Sequence, residues 1–161
     1  MKVEAILPNN FFPKLGMYVA TCAHIEKMAW LLVVHSTGFD LNDGTDIDRI
    51  LKLRKRTPDL ISELGEVADR YDVRYKERLH SVYSRINDGI TNRHIAIHGA
   101  WTIKEDGRYN VEYYNDIGSR KSPDWRAFNV SLSEEDLDAA LIDANDILSE
   151  LLKLYKDLGL P

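Results

Sequence analysis

The chain has 161 residues, of which 44% are hydrophobic and 29% charged, and its net charge is −5 at pH 7. This length predicts a single globular domain over residues 1–161 with enough chain to bury a core. The acidic balance argues against a broad nucleic-acid-coating surface, but it leaves room for a local site. A compact basic cluster has two interpretations: a solvated helix face, which we prefer, or a local contact site for nucleic acid. It consists of Lys52, Arg54, Lys55 and Arg56.

Three further features predict a cytoplasmic protein that does not associate with membranes. The single cysteine, Cys22, excludes an internal disulfide framework, and its place in an apolar stripe predicts a small buried residue. The longest apolar run, Met28–Val34, is too short to span a bilayer. Glu4, Pro8 and Lys14 interrupt any hydrophobic segment of a secretory signal.

Helical periodicity dominates the first 98 residues, because apolar side chains recur at spacings of three and four. Gly38 suits the exit of the first helix, and Thr45 with Asp48 indicates a capped start for the second. Gly99 fits a left-handed cap at the end of the last, whose core stripe includes Ile97. The helices are predicted over about residues 13–37, 45–56, 58–71 and 73–98.

After Gly99 the apolar pattern alternates with period two, which predicts a small β insertion over about residues 100–132. A two-residue turn would place Ile103 opposite Asn110 and mix the polar and apolar faces. A three-residue loop with Gly107 left-handed places Ile103 opposite Tyr109 and separates the faces, so we prefer it. A third strand is expected over residues 128–132.

The last helix has the clearest sequence pattern. Ser133 is suited to cap it, and the acidic run Glu134–Asp136 fills its positive first turn. Leu132 and Leu137 are spaced for a hydrophobic staple, and Gly159 suits the exit. The predicted fold is therefore mainly α: an antiparallel bundle of about four main helices with a small three-stranded β insertion before the last.

The segment Arg93-His94-Ile95-Ala96-Ile97-His98-Gly99 carries the strongest candidate chemistry. Arg93 offers a planar fork of donors for phosphate, and His98 is a residue type that moves protons near neutral pH. The negative end of the helix dipole also favours a protonated His98. A second match, Arg74 to His80, lies in mid-helix, so the spacing alone is not specific.

Other interpretations of the same residues remain open. Arg93 could cap carbonyl groups or pair with a carboxylate, and His98 could be a structural residue at a helix end. His94 and His98 lie one helical turn apart and could share a divalent metal, although no third ligand is indicated. Aromatic residues after the motif could stack on bases, but we prefer the interpretation that they cover the bundle. These are Trp101, Tyr109, Tyr113 and Tyr114.

The stretch R-H-I-A-I-H-G, late in a helical chain, resembles the R-x4-6-H motif of the HEPN superfamily, with His94 where asparagine is more familiar. The resemblance implies a metal-independent endoribonuclease without a cofactor, acting as a homodimer with the motif at an interface cleft. It implies that Arg93 stabilises phosphate charge and that His98 acts as general base or acid. His94 would orient His98 or contact RNA. RNA and an antitoxin or regulatory protein are the partners expected for a toxin or defence component.

The alternative is a non-catalytic HEPN-like helical module that binds a partner protein or a nucleotide. Catalysis requires Arg93 and His98 to converge in a cleft that solvent reaches. A binding module allows both side chains to be buried or paired off. The placement of these two residues in the fold therefore distinguishes the two hypotheses.

Overall fold

A computed structural model describes residues 7–40, 42–116, 122 and 124–160, with Asn115 and Asp116 as backbone only. The described part contains five helices and one three-stranded antiparallel sheet, which confirms the mainly-α class with a small sheet before the last helix. The helices are α1 (Phe11–Thr37), α2 (Gly44–Lys55), α3 (Thr57–Ala68), α4 (Val73–His98) and α5 (Glu134–Asp157). The strands are β1 (Ala100–Ile103), β2 (Tyr109–Asp116) and β3 (Trp125–Leu132), in the order β1-β2-β3.

The chain divides into two compact units that share the three long helices. The first unit runs up to Ala20 and resumes over Ile90–Asp143, so it holds the start of α1, the end of α4, the sheet and the start of α5. The second unit comprises Thr21–Gly89 and the residues from Ala144 onward. The candidate motif lies wholly within the first unit. A single domain over residues 1–161 remains a prediction.

The core of the first unit forms around Phe11, which is completely buried. Its neighbours in this cluster include Leu7, Tyr109 and Leu137. The Phe11 ring lies 4.5 Å from the ring of Tyr109 and 5.1 Å from that of Trp101, measured between centroids. Burial of such a side chain contributes about 1.5–3 kcal/mol. The cluster therefore joins the start of α1 to the sheet and to the first turns of α5.

The register of the sheet confirms the three-residue turn. Ile103 pairs with Tyr109, and Trp101 pairs with Val111. Gly107 has a φ of 81°, the left-handed conformation that this turn requires. The buried positions of Tyr109 and Val111 show that the apolar side of the sheet faces the helices. The third strand begins three residues before the predicted segment, at residue 125.

Two helix ends differ from the prediction. Asp43, not Thr45, caps α2, because its carboxylate accepts hydrogen bonds from the backbone N–H groups of Thr45 and Asp46. These bonds lower the pKa of Asp43, and a carboxylate in this place also suits the positive end of the helix dipole. α3 ends at Ala68, so Tyr71 lies outside it; its hydroxyl shares a 2.6 Å hydrogen bond with Ser36 instead.

Other helix ends follow the prediction. Ser133 caps α5, since its Oγ accepts from the backbone N–H of Asp136 at 3.1 Å and its own N–H donates to the Asp136 carboxylate at 2.8 Å. This reciprocal pair, with aspartate in the usual place of glutamate, satisfies two otherwise unpaired donors. Gly38 and Gly159 have φ values of 68° and 65° at the helix exits, as their positions in the sequence predict.

One described helix, α1, is long and apolar enough to cross a membrane by length and composition alone. A core helix of a globular protein meets the same test, and α1 carries fully buried residues: Phe11 in the first unit, and Leu32 and Val33 in the second. Cys22, on the same helix, is buried as predicted. The absence of membrane association remains a prediction, as does the cytoplasmic location.

Candidate active site at the end of helix α4

The C-terminal end of α4 is fixed by a close approach of the sheet. The N–H of Gly99 donates to the Ile95 carbonyl at 2.8 Å and closes the last turn. The predicted left-handed cap at Gly99 is wrong, because Gly99 is not among the described glycines with positive φ. Glycine is needed here for space: an added Cβ would overlap Cγ2 of Val111 and lie 2.5 Å from the Ile95 carbonyl oxygen. The strand β2 therefore passes directly against the residue that follows His98.

His94 and His98 form the centre of the candidate site. Their imidazole rings are nearly parallel, with an interplanar angle of 21° and a centroid separation of 6.2 Å. This arrangement follows from the i, i+4 spacing, which places the two side chains about 40° apart around the helix axis. His94 is half-buried and His98 is exposed. A substrate could therefore reach His98 directly, with His94 beside it.

Arg93 lies on a different side of α4 from His98. His98 lies five positions further along the chain, which corresponds to about 140° around an α-helix. Arg93 is half-buried, and its Nε atom is fully buried. Within one chain, α4 thus brings His94 and His98 together and places Arg93 to the side of the pair. One chain therefore does not bring Arg93 and His98 together as the catalytic hypothesis requires, and a second copy of the chain would have to supply the missing partner.

The predicted core position of Ile97 is wrong. Ile97 is 41% exposed, whereas Ile95 and Ala96 are each only 8% exposed. The reason is that the last turn of α4 packs with Ile95 and Ala96 toward Trp101 and Leu137, which line one cavity with them. Ile97 is left on the face that carries the candidate site, so an apolar side chain lies beside the histidines.

The second Arg–His match, in the second unit, has structural partners. His80 Nε2 lies 3.0 Å from Oδ1 of Asp69, and Lys76 Nζ lies 2.8 Å from the same oxygen. These contacts lower the pKa of the Asp69 carboxyl, through Lys76 first and His80 second. The guanidinium of Arg74 lies over the ring of Tyr75, 5.4 Å from its centroid. The pair therefore belongs to a surface network.

Two other hypotheses gain no support from the described residues. In residues 7–40, 42–116, 122 and 124–160, no three or more His, Cys, Asp or Glu side chains are grouped to hold a metal ion. The two-histidine metal site thus has no third ligand from that part of the chain. In the basic cluster, Arg56 pairs with Asp59 at 3.1 Å. Its other members are exposed, which suits a solvated helix face: Lys52, Arg54 and Lys55.

Comparisons with protein-family models, curated proteins and solved structures find no match. The assignment of the site therefore rests on its own geometry and on the seven-residue motif.

One residue beside the site, Asn92, is not indicated by the sequence. It precedes Arg93 and lines the cavity beside Trp101. Only the helical phase of α4 against the sheet reveals this position, and no sequence pattern marks it.

Proposed function

We propose that this protein is a metal-independent endoribonuclease of HEPN type, acting as a homodimer, in the role of a toxin or defence component. The single observation that carries the proposal is the exposed His98, five positions beyond Arg93 at the end of α4, with its ring nearly parallel to that of His94. These residue types are those that phosphodiester cleavage without a metal needs.

The chemistry divides among these side chains as follows. A neutral imidazole removes the proton from a ribose 2′-hydroxyl, and the resulting oxyanion attacks the adjacent phosphorus. A protonated imidazole donates its proton to the departing 5′-oxygen, so the products are a 2′,3′-cyclic phosphate and a free 5′-hydroxyl. His98 takes one of these roles, and His98 of a second copy takes the other. Arg93 stabilises the added charge on the phosphate, and His94 orients His98 or contacts the RNA.

Exposed apolar residues of the first unit support the homodimer. Ile97, on the same face as His94, is 41% exposed, and Met17 on α1 is 57% exposed. Each of these exposed apolar side chains is available to contact a second copy of the chain. Association of two copies through this end of α4 would place the two motifs opposite each other. Sedimentation at micromolar concentration should show a dimer, and a monomer at that concentration would count against this arrangement.

The test of catalysis uses purified protein and a mixed RNA pool in excess EDTA. Wild type should cleave the pool and leave cyclic phosphate ends, and the double variant Arg93→Ala/His98→Ala should not. Circular dichroism of the variant establishes that it keeps its fold. Cleavage that EDTA abolishes, or that the double variant retains, would refute the assignment. An inactive wild type would favour the alternative, a non-catalytic helical module that binds a partner protein or a nucleotide.

A further inference from the structure

Helix α2 lies wholly in the second unit and exposes two neighbouring apolar side chains. It buries Ile50 and Leu53, whereas Ile47 is 37% exposed and Leu51 is 49% exposed. The i, i+4 spacing places Ile47 and Leu51 about 40° apart around the helix axis, so they lie next to each other on one stripe. This stripe is open to contact with another molecule.

Charged side chains are ordered by sign along the same helix. Acidic residues lie at its start and basic residues at its end: Asp43, Asp46 and Asp48, then Lys52, Arg54 and Lys55. Asp48, Lys52 and Arg54 are exposed, and none of them forms an ion pair with a residue that the structure describes. Arg49, by contrast, pairs with Glu63 at 3.1 Å. The exposed charges beside the apolar stripe can therefore pair with a second molecule.

We propose that α2 is a self-association surface, on which α2 of a second copy of the chain packs in the antiparallel direction. A two-fold axis midway between Asp48 and Lys52 places Asp48 of each copy level with Lys52 of the other. Both residues lie on the same side of the apolar stripe, because they follow Ile47 by about 100° and about 140° around the helix. The four apolar side chains then interleave at steps of about 3 Å along the axis, with Leu51 of both copies at the centre.

The mixed charge of this surface favours a second copy of the chain over other occupants. A nucleic acid or an acidic helix would be attracted by Lys52 and Arg54 but repelled by Asp48. In an isologous pair each residue meets the complementary residue of the other copy, so both signs are matched at two symmetric contacts. The order of charges along α2 is thus complementary to its own reverse.

The contact is small, because each copy contributes two apolar side chains and two charges. Small interfaces are typical of transient complexes, so we expect a Kd on the order of 0.1–1 mM. The homodimer proposed at micromolar concentration uses the end of α4, which lies in the first unit. The two surfaces share no residue, and the failure of one proposal would not affect the other.

The first test exchanges charges in the full-length protein. The ¹⁵N-labelled chain is diluted from about 1 mM while the amide resonances of α2 are followed, and those of wild type should shift. Asp48→Lys and Lys52→Asp should each weaken the association at least about tenfold, because like charges then face each other at two contacts. An equimolar mixture of the two variants should restore it, since the introduced lysine faces the introduced aspartate. This recovery would also show that both variants are folded. The absence of a shift in wild type, or of recovery in the mixture, would refute the proposal.

A second test compares two leucines of the second unit that are almost equally exposed. Leu51 on α2 is 49% exposed, and Leu152 on α5 is 50% exposed. Leu51→Asp places a carboxylate at the centre of the contact and should abolish the shifts on dilution. Leu152→Asp makes the same change outside α2 and should leave them unchanged. If both variants behave alike, α2 is not the surface through which the chain associates.

A third test determines the direction of the pairing. A spin label is attached to Lys55→Cys, while Cys22 is buried and stays unlabelled. This chain, at natural isotope abundance, is mixed with ¹⁵N-labelled wild type, so any broadening is intermolecular. Antiparallel packing brings position 55 within about one residue of the level of Gly44 in the other copy, so the Gly44 amide should broaden most. Greatest broadening at Arg54 would mean parallel packing and would overturn the proposed arrangement. Failure of wild type to cleave RNA would refute the proposed function, but it would not alter this result.

Discussion

Helix α4 carries two Arg–His pairs that are similar in sequence but differ in their surroundings. In the second unit, His80 lies 3.0 Å from the carboxylate of Asp69, within a network that also includes Lys76. In the first unit, His98 is exposed at the last position of the helix. Its described ring contact is with another imidazole, that of His94, rather than with a carboxylate.

This difference shows what the spacing of an arginine and a histidine leaves undetermined. The Arg74–His80 pair has a nearby carboxylate that holds the histidine in a surface network. The Arg93–His98 pair lies where α4 ends and β2 approaches, which leaves His98 open to a ligand. A short motif therefore becomes a functional hypothesis only when the groups around its histidine are known.

The largest expected effect is a difference in the rate of RNA cleavage between variants of the two Arg–His pairs. His98→Ala should lower the rate of RNA cleavage by at least about 100-fold, as for the loss of a general acid or base. His80→Ala should leave cleavage within about twofold, because its described partners, Asp69 and Tyr83, are structural. Initial rates on one labelled RNA, measured at equal protein concentration, provide the comparison.

The two variants control for each other, since each removes one imidazole from α4. Arg93→Ala and Arg74→Ala extend the comparison to the arginines, and only Arg93→Ala should lower the rate. Equal loss of activity in His80→Ala and His98→Ala would mean that α4 itself is perturbed. The assignment of the site to His98 would then be wrong.

The second effect concerns two glycines of α4 and its exit. Gly99→Ala should destabilise the protein by about 1–3 kcal/mol, the range for overpacking, because the new Cβ overlaps Val111. Gly89→Ala meets nothing within 4 Å and should stabilise it by about 0.5–1 kcal/mol, since alanine favours the helix. Urea denaturation gives both free energies of unfolding. Similar values for the two variants would show that β2 does not press against the helix end.

A smaller effect is expected in the turn between β1 and β2. Gly107 has a φ of 81°, and nothing lies within 4 Å of the position a Cβ would take. Only backbone strain therefore opposes a side chain, and Gly107→Val should cost about 1–2 kcal/mol. Gly107→Asn should cost less, because asparagine tolerates this conformation. If valine and asparagine give the same stability, the turn does not hold residue 107 in the left-handed region.

Local patterns predicted most of the fold. The bounds of α4 match those predicted, Val73 to His98. They could be predicted because apolar residues at helical spacing are followed directly by apolar residues that alternate with period two. The register of β1 with β2 was predictable because only one turn length separates polar from apolar faces. The prediction of Thr45 as the cap of α2 was wrong, and Asp43 is the cap. The two residues are only two positions apart, and threonine and aspartate both cap helices.

The parts that could not be predicted depend on residues distant in sequence. Gly99 was interpreted as a left-handed cap, whereas the reason for glycine there is Val111, which lies on another element. Asp69, the partner of His80, precedes α4 and is placed by the end of α3. The cavity that Asn92 and Trp101 line also requires the sheet to be placed against the helix. None of these contacts leaves a periodic pattern.

The smallest expected effect is the pH dependence of the network around His80. Contacts with Lys76 and His80 lower the pKa of Asp69, so its ionised form stabilises the folded protein above its unfolded pKa of about 3.9. That contribution is lost as the pH falls through the lower pKa of the folded state. Asp69→Asn should therefore lower the Tm slightly at pH 7, and its difference from wild type should shrink below about pH 4. Asp88→Asn, at an exposed site on α4, should change little at either pH. If the difference in Tm between Asp69→Asn and wild type stays constant down to pH 2.5, Asp69 acts through its shape or its neutral hydrogen bonds. Its charge would then not be what holds His80 in this network.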